Sequence, residues 1–460
     1  MRFLALCLSS WMVGICGCGP HAQQFLSGFG CGQDGFARKP LENGKCGGSV
    51  VQVAHRNKDH ASALPLASDD AMAALRKLVG LNVTPEPSFA GPYRALTAAQ
   101  CQCRAAQASG MGNLLEKEAA VAPSHGHKGD MRQSLLSNSA LEARNKDSAA
   151  ALDLFYRLAE AEARWALLAV SIDEVQKANA HGDKLKKQGL PLPANIDEFA
   201  KQDFDLKSDR VRLAVGIEKL NRNLARKIDI EGVPAEERLW PVDDFSVPEE
   251  PIDVAAAVEL GMAQRPELVF LRQASQDASP ANLAELRKAL SASNALLGST
   301  GGPCMKLIMM LCKDETGNRR QQIQELQQQR EREIADDIRQ AAADMNGQVR
   351  LVVLANARSD YARTKLKEQE DKLSKGTGSV FEVASTRLTW LKARDQLVRE
   401  VMAWHFAHTK LQEAQGLLAH GCDPQADLLT SCQAQLSHPQ MYPPLEATIL
   451  PQYRRTYTGD

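Results

Sequence analysis

The sequence predicts an all-α protein built from two long antiparallel helical hairpins that follow one another along the chain. Its composition favours helix, because the 460 residues are 44% hydrophobic but only 5% aromatic and are biased toward Ala, Leu, Gln, Glu, Lys and Arg. No proline occurs between Pro303 and Pro424. Within this stretch apolar residues recur at every third or fourth position, which is the spacing of amphipathic helices.

The N-terminus has the form of a secretory signal peptide. Met1-Arg2 is followed by an apolar run and then by Ile15-Cys-Gly-Cys18. This arrangement resembles a bacterial lipoprotein signal, in which a small residue precedes the cysteine that is cleaved and acylated. We therefore assign residues 1–17 to a lipoprotein-like signal peptide and expect lipidation at Cys18. Ordinary cleavage nearby and a retained anchor are the alternatives, although the apolar run is shorter than the ~20 residues of a membrane span.

The next segment, residues 18–92, is rich in Gly, Ser and Pro and has little periodicity. We expect a flexible tether here, interrupted by one short helix over Asp69 to Leu78.

The chain has eleven cysteines, and three of them lie in the signal or at the lipidation position, which leaves 11 − 3 = 8 that can pair in an oxidising compartment. The local sequence favours Cys31 with Cys46 and Cys422 with Cys432. Cys101 and Cys103 are less suited, because helical residues two apart point to different faces.

The first predicted hairpin occupies residues 93–228. Its descending arm falls in a proline-free run from Ser124 to Leu190. The tip lies at Gln188-Gly-Leu-Pro-Leu-Pro193, and a return arm of apolar spacing continues to Leu224. A Pro-rich linker over residues 229–251 separates this repeat from the next.

The second predicted hairpin occupies residues 252–418. A helix from about Asn318 to Ser374 would be roughly 85 Å long, a length typical of coiled-coil packing. The turn Lys375-Gly-Thr-Gly-Ser379 reverses the chain, since glycine adopts the positive φ of a tight turn. The return arm continues to Leu418, and residues 419–460 form a flexible tail. Two tandem copies of one motif define the architecture.

Three stretches carry a resemblance to a known family. They are Val254-Ala-Ala-Ala-Val-Glu-Leu-Gly-Met-Ala-Gln-Arg-Pro-Glu-Leu268, the tip Lys372-Leu-Ser-Lys-Gly-Thr-Gly-Ser-Val-Phe-Glu-Val383, and Gly189-Leu190 followed by Ile196-Asp197. They resemble the repeat-opening helix and the hairpin tips of the TolC-like outer-membrane efflux proteins. The resemblance covers roughly residues 93–418.

This resemblance implies a homotrimer that forms a passive periplasmic tunnel and works with a periplasmic adaptor protein and an inner-membrane transporter. By the same resemblance, the residues that contact the partner lie at the hairpin tips: Gly189, Leu190, Lys375, Gly376, Thr377, Gly378 and Ser379. A plain chain reversal without a partner is the alternative, because turn chemistry alone explains the glycines.

One departure from the family concerns its membrane β-strands, which need about 9 to 11 residues of alternating polarity. Neither Ala122–Ser139 nor Gly298–Asp314 alternates in this way; the second region holds only the continuous apolar run Met305–Cys312. We therefore expect these strands to be missing or much reduced. A periplasmic coiled-coil scaffold or adaptor without a conducting pore is the rival hypothesis.

Other functional classes lack support in the sequence. A formal net charge of −1 gives no electrostatic reason to expect a nucleic acid partner. The glycine clusters lack the Lys-Ser or Lys-Thr of a phosphate loop. His125 and His127 with Cys101 and Cys103 have no recognised zinc spacing, and His405 and His408, at positions i and i+3, have no evident third ligand. No nucleophile signature occurs. We expect a protein that is not an enzyme and that has no cofactor and no metal.

Overall fold

A computed structural model of the chain describes residues 64–81, 88–121, 127–191, 196–229, 237–293, 297, 315–420 and 422. All of them belong to one unit, Ala61–Asp460. The predicted signal peptide, Cys18 and the pair Cys31 and Cys46 lie outside the described residues.

The described residues form ten α-helices and two short strands. In chain order they are α1 Asp69–Val79, β1 Tyr93–Thr97, α2 Ala98–Ala108, α3 Gly110–Val121, α4 His127–Lys187, α5 Ile196–Lys227, β2 Arg238–Val242, α6 Val254–Gln264, α7 Pro266–Gln276, α8 Leu283–Ser293, α9 Glu315–Ser374 and α10 Val380–Gln415. The prediction of an all-α fold with two long hairpins is confirmed. In the described part of the chain, the strand content is the single pair β1 and β2, which run parallel.

The two longest helices form because their apolar residues repeat with helical spacing. Helix α9 has 60 residues and ends at Ser374, as predicted, while its start at Glu315 precedes the predicted start by one turn. Its residues Ile334, Ile338 and Met345 are buried. Helix α4 has 61 residues and buries Phe155 and Leu158 completely.

The four long helices lie side by side in the order α5, α4, α10, α9. Helix α4 pairs with α5 in the first hairpin, α9 pairs with α10 in the second, and α4 packs against α10. The inner helices are therefore α4 and α10, and the outer helices are α5 and α9. The α4–α10 interface joins the two repeats.

The repeat extends further than the sequence analysis recognised. Helix α6 was predicted to open the second repeat, and α2 is its counterpart, because both helices have eleven residues and both follow a side-chain N-cap, Thr97 for α2 and Asp253 for α6. The first predicted helical hairpin begins at residue 93, so helix was expected from about Tyr93. The chain instead forms β1 there, and helix begins at Ala98.

Part of the predicted tether packs against the helical body. Helix α1, Asp69–Val79, agrees with the expected short helix. The residues before it extend along β1, since the Ala67 amide donates to the Tyr93 carbonyl at 2.8 Å and the Ala95 amide donates to the Pro65 carbonyl at 2.9 Å.

The expected pairing of Cys422 with Cys432 is wrong, because Cys422 forms a disulfide with Cys103. The two cysteines are separated by 319 residues in sequence, so local spacing could not indicate the bond. Cys101 is buried as a free thiol. The rule that helical residues two apart face differently holds here, and it explains why only one of the two α2 cysteines meets Cys422.

Of the two regions compared with membrane strands, residues 127–139 form the first turns of α4. Residues 122–126 and 298–314 lie outside the described residues. None of the described helices combines the length and apolar character needed to cross a bilayer.

Candidate functional site

Both hairpin tips end their descending helix in the same way. Gly189 and Gly376 have positive φ values of 68° and 73°. The amide after each glycine, of Leu190 or Thr377, donates to a carbonyl five residues earlier at 3.0 Å. This is the Schellman arrangement, which requires a left-handed residue that glycine adopts without strain. The two tips are thus equivalent positions of the repeat.

The predicted contact residues at the tips divide into two groups. Gly378 and Ser379 are half-buried and have structural roles. A Cβ atom at Gly378 would lie 2.7 Å from the Leu373 backbone nitrogen, and the Ser379 hydroxyl accepts from the Phe381 amide at 3.3 Å. The others are exposed: Gly189, Leu190, Lys375, Gly376 and Thr377. This exposed group is available to a partner.

The two tips lie next to each other at one end of the molecule. Phe381, one residue into α10, has its ring centroid 5.4 Å from that of His181 on α4 and 6.1 Å from that of Phe199 on α5. The structure therefore brings the predicted tip residues of both repeats into one region.

Two ion pairs cross the α4–α10 interface above the tips. The Arg164 Nε atom lies 3.0 Å from the Asp395 carboxylate, and Arg387 lies 2.9 Å from Glu174. Arg387 also pairs with Glu370 on α9. The Glu174 side chain is only 9% exposed, so this pair is partly desolvated.

Exposed apolar side chains form a row on each outer helix. The α5 row consists of Phe204, Val211 and Val215, which are 73%, 66% and 47% exposed. The α9 row consists of Leu351, Leu354 and Tyr361, which are 47%, 66% and 66% exposed. Their three-, four- and seven-residue separations keep each row on one helix face. Neither row was predicted from the sequence, because each arm was assigned a single apolar face.

The repeat shows what the α9 row corresponds to in the first hairpin. The glycines of the two tips differ by 376 − 189 = 187 positions, so Leu351 is the counterpart of Arg164 on α4. The same offset makes Leu354 the counterpart of the buried Leu167 and Tyr361 the counterpart of Glu174. The α9 row therefore occupies positions that on α4 are buried or face α10.

The α5 row has an equivalent relation to α10. The first residues of these return helices differ by 380 − 196 = 184 positions, so Val211 is the counterpart of Asp395 and Phe204 the counterpart of the buried Leu388. The ion pair that joins Arg164 to Asp395 inside the chain thus has the apolar pair Leu351 and Val211 as its counterpart on the two outer faces.

The histidines on α10 pack against aromatic side chains, and His405 is buried while His408 is half-buried. His405 stacks on Tyr156 with a centroid distance of 4.7 Å, and His408 stacks on Trp404 at 5.2 Å. Burial lowers the pKa of His405 to about 3 and that of His408 to about 4, so both are neutral at physiological pH. Throughout the described residues, no group of three or more His, Cys, Asp or Glu side chains is placed to hold a metal ion.

No protein-family model and no curated protein matches this sequence. Solved structures similar to the chain include the CmeC outer membrane channel of Campylobacter jejuni, with 10% identity, a TM-score of 0.49, and 87% of this chain and 98% of that chain covered. The VceC outer membrane protein of Vibrio cholerae has 9% identity and a TM-score of 0.45, covering 75% of this chain and 96% of that chain. The open MtrE outer membrane channel of Neisseria gonorrhoeae has 11% identity and a TM-score of 0.40, with 76% of this chain and 90% of that chain covered. Such channels are the kind of protein that the three sequence stretches resemble.

Proposed function

We propose that this protein is a TolC-like outer-membrane efflux component in which several copies form a closed helical tunnel. The single observation that supports it best is the correspondence between the outer apolar rows and the α4–α10 interface. The α9 row of one copy and the α5 row of the next would meet as α4 and α10 meet within the chain. A contact between two different surfaces closes into a ring when the rotation between copies allows it.

The register of this contact follows from the internal one. Along the antiparallel pair α4 and α10, the residue numbers of contacting partners sum to between 558 and 563, as in Arg164 with Asp395 and His181 with Phe381. Applying the two repeat offsets, 187 − 184 = 3, raises these sums to between 561 and 566. The proposed contacts are then Leu351 with Val211 and Tyr361 with Phe204. Gly347 would face Val215, so that a small residue faces a branched one.

In the proposed assembly, the ring has partners at its tips and an anchor at the membrane. Three copies per ring follow the family resemblance. The exposed tip residues Leu190, Lys375 and Thr377 would contact a periplasmic adaptor protein, and an inner-membrane transporter would supply the energy for passage. Lipidation at Cys18 would hold the protein at the periplasmic side of the outer membrane. No catalytic activity is part of this proposal.

Disulfide cross-linking between copies tests the ring and its register. In the mature protein, the double variant Val211→Cys and Leu351→Cys should form intermolecular cross-links on mild oxidation. The products should end in a closed covalent trimer on a non-reducing gel, and mass spectrometry should locate the bond at 211–351.

The matched control joins Val211→Cys to Asp336→Cys. Asp336 is an exposed residue of the same helix as Leu351, but it lies fifteen residues, or about 22 Å, away along α9. The control variant should therefore form no cross-link and run as a monomer on the non-reducing gel. Cross-links in the control as strong as in the test pair, or bonds only between two copies of position 211, would contradict the ring.

The alternative is a periplasmic coiled-coil scaffold with no conducting pore. It is favoured by the short connection between α3 and α4, since only residues 122–126 separate the two helices. Ion conductance of the cross-linked species in a planar lipid bilayer separates the two functions. A trimer that conducts supports the tunnel, and a trimer that leaves the bilayer current unchanged supports the scaffold.

A further inference from the structure

The N-terminal strap, defined here as residues 64–81 and 88–92, crosses the α4–α10 interface on the surface of the helical body. Its helix α1 packs against α4 of the first repeat, against β2, and against α10 of the second repeat. Leu75 and Val79 of α1 are buried. The strap therefore contacts both repeats.

The strap is attached to α10 through Arg394. The Nε atom of Arg394 donates to the Val79 carbonyl at 3.0 Å, and the Nη2 atom donates to the Leu78 carbonyl. These are free carbonyls at the end of α1, where a cation is also favoured by the helix dipole. Gly80, with φ of 67°, lets the guanidinium approach, because a side chain there would collide with it. This attachment has no group that titrates near neutral pH.

The strap is attached to α4 through Glu162, a carboxyl group that is only 2% exposed. The Ser88 hydroxyl donates to the Glu162 carboxylate at 2.7 Å. Ser88 also lies 3.1 Å from the Tyr93 hydroxyl and accepts from Arg238 at 3.4 Å. Since Ser88 has one hydroxyl proton, Tyr93 must donate to Ser88 when Glu162 is ionised, and the direction of this hydrogen-bond chain can reverse when Glu162 is protonated.

The charges around Glu162 do not offset the rise in its pKa that burial causes. Arg238 on β2 is the cation that faces it, and the Arg238 guanidinium is also engaged over the Phe89 ring at 4.4 Å. Tyr93 on β1 stays protonated, because burial raises its pKa. The charged groups on the other packed helices have partners of their own: Asp395 on α10 pairs with Arg164 and Arg399, Arg210 on α5 lies over Trp165, and Arg76 on α1 bonds to Met72.

We propose that the strap closes over the interface between the two repeats when Glu162 is protonated and opens more readily when Glu162 is ionised. The strap is then a proton-sensitive connection between the two repeats, with a titratable attachment on α4 and a permanent one on α10. Opening it would loosen the α4–α10 interface from the outside.

The direction of the effect follows from linkage between proton binding and opening. Burial is the main cause that raises the pKa of Glu162 to about 7, from an ordinary 4.5. A carboxyl whose pKa is raised in the closed state stabilises that state fully below its ordinary pKa, and this stability is lost as the pH rises through 7. With these two pKa values, the opening equilibrium should rise roughly tenfold between pH 6 and pH 8 and then level off.

Hydrogen exchange of the full mature chain between pH 5.5 and 8.5 tests the proposal, with rates corrected for the intrinsic pH dependence of amide exchange. Strap peptides should lose protection by about thirtyfold across this wider range, of which about tenfold falls between pH 6 and pH 8, while peptides from the middle of α9 should not. Glu162→Gln keeps an acceptor for Ser88 but cannot ionise, so its strap should exchange at a constant corrected rate.

Two further variants keep the proposal falsifiable. Arg394→Gln should raise strap exchange by the same factor at every pH and leave the pH profile unchanged. Ser88→Ala removes a hydrogen bond that lowers the Glu162 pKa, so it should move the profile to higher pH. A wild-type strap whose protection is independent of pH, or a pH profile that persists in Glu162→Gln, would overturn the proposal.

Discussion

Replacing Cys103 and Cys422 with serine removes the covalent link between the opening helix of the first repeat and the chain that follows the second. The bond spans a sequence separation of 319 residues. In the chain-entropy treatment, closing a loop of this length restricts the unfolded chain by about 5 to 6 kcal/mol of free energy. This value is an upper bound, because a compact unfolded chain has less freedom to lose.

The native contacts around the bond should survive its removal. The Asn145 side chain accepts from the Leu418 amide at 2.9 Å and donates to the Glu413 carbonyl at 2.9 Å. Gln102 on α2 donates to the Leu418 carbonyl at 2.9 Å. The end of α10 would therefore stay near α2, and we expect the double variant to fold with a free energy of unfolding lower by about 3 to 5 kcal/mol.

Urea unfolding followed by far-ultraviolet circular dichroism measures this difference, at a protein concentration where a single oligomeric species is present. Cys101→Ala is the matched control, since Cys101 is buried on the same helix but unbonded, and it should cost about 1 kcal/mol or less. Equal midpoints for the double variant and the oxidised wild type would refute the argument. A reductant that lowers the midpoint of the double variant as much as that of the wild type would refute it as well.

Three other changes follow from the described contacts. Gly376→Ala should lower the free energy of unfolding by about 1 kcal/mol, because Gly376 has a φ of 73°. Gly216 lies in a helix with open space beside it, so Gly216→Ala should raise the free energy of unfolding by up to about 1 kcal/mol. Thermal unfolding of the two variants and the wild type measures both changes. Burial raises the pKa of Asp243 to about 6 from 3.8. Protonation of Asp243 therefore stabilises the folded state at low pH, and this contribution is lost as the pH rises through 6. Asp243→Asn should make the urea midpoint less dependent on pH between 4 and 7. Arg387→Met should cost about 2 kcal/mol by leaving Glu174 without its α10 partner, and adding Glu174→Met should recover most of this loss in a double-mutant cycle.

The long hairpins could be predicted from the sequence because their signals are local. Apolar spacing along α9 and the glycine at its end act over a few residues at a time, so the observed helix ends at the predicted Ser374. The tip turns were predictable for the same reason, since a glycine with positive φ is needed at Gly189 and Gly376.

The other features depend on residues that are far apart in the sequence. Local spacing could not indicate that Cys103 meets Cys422, or that Ser88 reaches Glu162 across 74 positions. The pairing of β1 with β2 joins segments about 145 residues apart, and each strand has only five residues, too few for a clear alternating pattern. The apolar residues of the α5 row are present in the sequence, but only the structure shows that no described helix covers them.

The difference between the inner interface and the proposed outer one has a physical reason. Within the chain, Arg164 and Asp395 are held near each other by the fold, and an ion pair at such a partly exposed position contributes only about 0 to 1 kcal/mol. Separate copies must also offset the loss of translational and rotational freedom, about 4 to 15 kcal/mol. The apolar counterparts Leu351 and Val211 suit that requirement. Burying the six side chains of the α5 and α9 rows, each already partly covered, would contribute about 5 to 10 kcal/mol per interface. A closed ring has as many interfaces as copies, so this contribution is made at every outer helix, whereas an open chain of copies leaves one row of each kind in water. The replacement of an internal ion pair by apolar residues at equivalent outer positions is thus the change that the proposed assembly into a ring would require.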